Sequence, residues 1–135
     1  MKKKKTERAR TAAPDKSDNF AKAFHALKQI LKRYEGDLQA NADTREKYYL
    51  QTKSPVLNDQ PLFFGAVLRG TTHVSIQLAP LYWEPALAKG ISAKLKQRRQ
   101  SQTAFNFTEP EPELFRELAK VAKRGFNLYR RKNLL

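Results

Sequence analysis

Residues 61–80, PLFFGAVLRGTTHVSIQLAP, constrain the fold more than any other stretch of this chain. Leu62, Phe63, Phe64, Ala66, Val67 and Leu68 form a β-prone apolar run. After it Val74, Ile76 and Leu78 alternate with His73, Ser75 and Gln77. Alternation with a period of two describes a strand with one buried face and one face left for water or a site. The intervening Arg69, Gly70, Thr71 and Thr72 supply the glycine and small polar residues of a hairpin reversal. A hairpin of this kind needs a partner layer over Val74, Ile76 and Leu78.

On the N-terminal side, Phe20, Phe24, Leu27, Ile30, Leu31 and Tyr34 recur at helical spacing, predicting a helix over 18–35. Ser17 or Asp18 serves as its cap and Gly36 as its stop. Its other face carries Lys22, Lys28, Lys32 and Arg33. Residues 37–44 read as a polar connection, and KYYLQT, 47–52, as a first strand. Pro55, with Asn58 and Asp59, makes 54–60 a loop. Beyond the hairpin, Pro85 opens a short helix that Gly90 ends, and Ser92 caps a second. TAFNFT, 103–108, alternates again and gives a fourth strand, with Phe105 and Phe107 opposite Ala104 and Asn106. The acidic, proline-bearing run 109–113 starts a last helix striped by Leu114, Phe115, Leu118, Val121, Ala122, Gly125, Phe126 and Tyr129. The expectation is an α+β single domain, an antiparallel sheet of about four strands flanked by N- and C-terminal helices, in the order α-β-β-β-α-α-β-α. Residues 1–16 are set apart as a disordered basic arm, and 17–135 as the domain.

Charge bounds the partners. Seven basic and two acidic residues in positions 1–17 give the arm +5, leaving +9 of the total +14 for the remainder. Such an excess favours nucleic acid or another polyanion. Without cysteine the chain has no disulfide, no thiolate catalysis and no Cys-based metal site. MKKKK is followed by no apolar core, and no run reaches the ~20 apolar residues of a membrane span. The expected location is cytoplasmic, with no membrane span and no cofactor.

LFFGAVLRGTTHVSIQLAPLYWEPAL, LKQRRQSQTAFNF and the closing LFRELAKVAKRGFNLY together resemble the bacterial YdhG-like domains of unknown function. The shared pattern is a strand ending in a turn, then a hydrophobic-Ser-hydrophobic strand introduced by His73, a basic segment at 94–102, and a last strand before the C-terminal helix. The likeness covers about residues 20–129. It implies a small α+β domain. Some YdhG-like proteins carry the label iron chaperone, but a hard iron site wants several carboxylate and imidazole ligands. Here His25 and His73 are the only histidines and the first helix is basic, so no metal site is carried over.

Three functional readings follow. The first is a non-enzymatic domain binding a ligand or partner through one sheet face, with Tyr49, Phe64, His73, Ser75, Gln77 and Tyr82 as lining residues. Its alternative is a nucleic-acid-associated protein that grips phosphates without sequence preference through its arm and Lys94, Lys96, Arg98 and Arg99. Tyr48, Tyr49, Phe63, Phe64, Tyr82 and Trp83 are candidates either for base stacking or, for most of them, for the core. A hydrolase built on His73 and Ser75 is the weakest reading. At positions i and i+2 their side chains stand roughly 7 Å apart, beyond hydrogen-bond reach, and no third member accompanies them. No catalytic residue is therefore assigned.

Overall fold

The computed structural model describes residues 16–57 and 59–135, so the basic arm lies almost wholly outside the described residues. Helix α1, Lys16–Lys32, is followed by strands β1, Gln39–Asp43; β2, Lys47–Leu57; β3, Gln60–Arg69; and β4, Val74–Leu78. Helix α2, Pro80–Trp83, a 3₁₀ turn, Pro85–Ala88, and helix α3, Ala93–Arg98, then lead to β5, Ala104–Phe107, and the long helix α4, Pro112–Arg131. The sheet is an antiparallel meander in sequence order, β1-β2-β3-β4-β5.

The fold is α+β with helices at both ends, and the sheet has five strands rather than about four. The added strand is β1, QANAD, which the sequence presents as a polar connection. Alanine, asparagine and aspartate are poor strand formers, so no local signal marks it. It forms because the sheet edge at β2 offers unpaired backbone groups, and Ala40 packs on the core. The predicted loop 54–60 is likewise mostly strand. β2 runs through Pro55 to Leu57, and β3 starts at Gln60. Pro55 faces Pro61 between two register shifts, so its missing N–H costs no regular ladder bond. Asp59 turns the chain with φ of 59°.

Helix α1 ends at Lys32, before the predicted boundary. Residues 34, 35, 37 and 38 close tight turns onto 31, 32 and 34, and Gly36 does not adopt the left-handed conformation of a helix stop. Ser92 caps α3 as expected, its hydroxyl accepting from the Leu95 N–H at 3.1 Å.

Helices α1 and α4 pack together on one face of the sheet, and the short helices contact α4. Beneath them lie Tyr48, Leu50, Val67, Val74, Ile76, Leu78, Phe105 and Phe107, all buried. Val74, Ile76 and Leu78 therefore take the core face, as their alternation requires. Gly125 lets α4 settle on α2, since a Cβ there would lie 2.7 Å from the Pro80 ring.

Candidate functional site

The strand register decides what the other face offers. Val67 pairs with Ile76 on the core side, so Ala66 opposite Gln77 and Leu68 opposite Ser75 belong to the open side. Asn106, opposite Ser75, and Ala104, opposite Gln77, extend it across β5. Tyr49, opposite Ala66, extends it across β2.

Near its start β3 departs from simple alternation. Leu50 faces Gly65, yet the next residue, Gln51, faces Phe63. One extra residue, Phe64, is thus inserted on β3, a β-bulge that turns two successive residues to the same side. Phe64 goes to the core, fully buried, edge-on to Tyr34, Phe126 and Tyr129. Phe63 takes the open side and stacks on Tyr49 with ring centroids 4.6 Å apart. The expectation that Phe64 lines the open face is corrected by this bulge: Phe63 occupies that place. No local sequence signal distinguishes the two adjacent phenylalanines.

His73 lies in the turn before β4, half-buried, and its backbone carbonyl accepts from the Gly70 N–H at 2.9 Å. Its Nδ1 is 2.9 Å from the Thr72 hydroxyl. Ser75 is on the open side but only 9% exposed, lower than the wet face expected of it. Among the described residues no hydrogen bond joins His73 to Ser75. Gln77 is half-buried, and Tyr82 stands off the sheet end on α2, 65% exposed.

The basic cluster of 94–99 is divided. Lys96 is exposed. Lys94 lines a cleft that also holds Glu111, Glu113 and Arg116. Arg98 reaches the same Glu111 with two bonds, Nε at 2.6 Å and Nη2 at 3.0 Å. That bonding raises the Arg98 pKa still further and commits its charge. Arg99 instead forms a backbone bridge with Phe105 at the β5 edge. Its guanidinium donates to the Ser101 and Gln102 carbonyls, at 3.3 and 2.7 Å, and rests over the Phe105 ring.

This arrangement brings together residues that the sequence assigns to different readings. A cleft of about 310 Å³ is lined by His73, Gln97, Arg98, Arg99, Gln100, Asn106, Phe107 and Thr108. The Asn106 side-chain Nδ2 donates to the Gln100 side-chain oxygen, Oε1, at 3.4 Å. Among the described residues no carboxylate lines this cleft, and Arg98 already holds its counterion, so Arg99 sets the local sign. Gln97, Gln100 and Asn106 add neutral N–H donors. Such a set matches an anion with several acceptor oxygens. Asn106 is the residue that reading the sequence leaves out, while Gln97 and Gln100 stand beside the basic cluster in the sequence itself. Among the described residues no group of three His, Asp or Glu side chains is placed to hold a metal ion.

The basic face of α1 does not join the cleft. Lys22 pairs with Asp18, Lys28 with Asp43 and Lys32 with Glu35. The helix also lies against the sheet face opposite to the one from which Asn106 projects.

Fold and cleft together define a class: a small α+β domain whose helices gather on one face of a five-stranded antiparallel sheet, with a cationic, amide-rich cleft at the β5 edge. No family model, curated protein or solved structure matches this chain. Among the described residues no helix is long and apolar enough to cross a membrane.

Proposed function

We propose that this protein is a non-enzymatic binding domain of the YdhG-like sort that holds a phosphate-bearing polyanion in the cleft of His73, Arg99, Gln100 and Asn106. One observation carries the reading. The turn histidine before β4 and the basic segment, 26 positions apart in sequence at His73 and Arg99, line one cleft that no carboxylate among the described residues enters. Arginine beside amide donors is suited to phosphate oxygens, which accept from several directions at once. The chain's +14 charge draws polyanions toward it from any side. Support for a non-enzymatic role comes from the His73 ring, whose hydrogen-bond partner among the described residues is the neighbouring Thr72 hydroxyl, and from the burial of Ser75.

The test uses the full chain and inorganic polyphosphate, a polyanion without bases. Gln100 is exposed and accepts from Asn106, so Gln100→Glu keeps an acceptor and adds one negative charge to the cleft. A charge about 6 Å from a bound phosphate in a water-like dielectric weakens binding about threefold. The expected result is at least that loss by calorimetric titration at low salt, shrinking as salt screens the charge. Equal affinities of variant and parent at every salt concentration would refute the cleft as the binding site.

A further inference from the structure

The cationic cleft has an apolar neighbour at the other end of the β4–β5 pair. Leu62, Phe63, Ala79, Tyr82, Trp83 and Thr103 line a second cleft of about 290 Å³. Tyr82 and Trp83 meet edge to face there, with centroids 5.2 Å apart, and are 65% and 49% exposed. Neither belongs to the apolar core. Two large rings held this far into solvent on so cationic a protein ask for a partner with both flat faces and negative charge.

The two clefts share a sheet face. Phe63 in one and Asn106 in the other both project from the open side, by the register described above. They are separated by two strand spacings across the sheet and about five residues along it, roughly 20 Å. The floor between them is made of small buried side chains, Ala66, Ser75 and Ala104, with Gln77 half-buried beside them. Ser75 presents its hydroxyl on that floor and has no hydrogen-bond partner among the described residues. Beyond Phe63 the aromatic surface continues to Tyr49, over whose ring Lys47 places its ammonium at 5.4 Å.

We infer that the polyanion is single-stranded nucleic acid, its backbone phosphates held at Arg99, Gln100 and Asn106 and its bases stacked on Tyr82 and Trp83. The inference rests on the proposed anion cleft and adds the identity of what fills it. Stacking on exposed rings beside a positive groove is how sequence-tolerant single-strand sites work, with sites of ~4–16 nucleotides. In a duplex the bases stack on one another, and a surface ring reaches none of their faces. The occupant is therefore a strand with unpaired bases rather than a double helix.

The chain's only tryptophan is Trp83, so its intrinsic fluorescence reports this cleft alone. The full-length protein is titrated with twelve-residue oligothymidylate, with an abasic oligomer of the same length, and with a mixed-sequence duplex. Oligothymidylate should quench Trp83 to saturation and bind at least about fivefold more tightly than the abasic strand, the lower end of one stacked base. Abasic strand and duplex should leave the emission close to its starting value. Tyr82→Ala removes a ring that is largely exposed and outside the core cluster, and it should narrow the gap between oligothymidylate and abasic strand. Equal affinity for the two strands with unchanged emission would overturn base stacking while leaving the polyphosphate result intact. Tighter binding of the duplex than of oligothymidylate would also overturn it. Failure of all three to bind would overturn the anion cleft together with this inference.

Discussion

Phe63 and Phe64 show how much one residue's placement decides. They are chemically identical neighbours, yet a single bulge sends Phe64 into a cluster with Tyr34, Phe126 and Tyr129 and leaves Phe63 against Tyr49. Their truncations should differ accordingly. Phe64→Ala leaves a cavity in a fully buried site and should cost about 3–5 kcal/mol in urea unfolding. Phe63→Ala removes a half-buried ring and one aromatic pair and should cost about 1 kcal/mol. Equal losses would show the two rings to be equally buried and the bulge misplaced. Tyr129 reinforces the same corner. Its hydroxyl donates to the Phe63 carbonyl at 2.7 Å. Burial raises its pKa well above the ordinary phenol value, although a hydrogen bond with the Trp83 side chain works the other way. The tyrosine thus ties the core to the strand that carries Phe63.

Among the elements, α3 depends on one polar contact that crosses to α4. Ser92 caps α3 and also donates its hydroxyl to Glu117 at 2.7 Å, while its backbone N–H donates to the other carboxylate oxygen at 2.7 Å. The side-chain bond first, then the backbone bond, hold the Glu117 pKa below its ordinary 4.5. A carboxylate whose folded pKa is depressed stabilises the fold fully above its unfolded pKa and loses that contribution as pH falls through the folded value. Ser92→Ala should therefore cost about 1–2 kcal/mol at pH 7. The gap between variant and parent should narrow below about pH 4.5 as Glu117 protonates. Denaturation midpoints that differ by the same amount at pH 7 and pH 3 would remove the carboxylate from this account. The cap itself is legible in the sequence, because a serine ahead of a short periodic run has few other uses. Its partner is not, because Glu117 lies 25 positions away and meets Ser92 only when α4 docks. Strand β1 is invisible for a related reason: an edge strand of weak formers takes its conformation from the neighbour it pairs with.

At the scale of the whole molecule the question is where the +14 charge acts. The lysines of α1 are largely occupied by neighbouring acids, in exposed pairs of the kind that contribute about 0–1 kcal/mol each. Positions 1–15 hold six Lys and Arg residues, and the β5 edge holds the cleft. These two sources of attraction separate by experiment. Deleting residues 1–15 should lower the salt dependence of oligothymidylate binding by roughly 0.7 in log–log slope for each phosphate the arm had neutralised. The quenching of Trp83 at saturation should persist. A truncated chain that still binds but no longer quenches would place the strand on the arm and not on the sheet.

Local pattern alone was enough for the helices at both ends, the hairpin at 69–73 and the inward side of Val74, Ile76 and Leu78, since periodicity of 3.6 or 2 dictates which side of an element meets oil. It also singled out His73, Arg98 and Arg99 by residue type. What it could not supply was their company. The pairing of Arg98 with Glu111, the meeting of His73 with Arg99 across the β5 edge, and the exchange of Phe64 for Phe63 all depend on contacts between distant segments and on one inserted residue. Those are consequences of register and docking, which exist only once the strands have paired and α4 has closed over them.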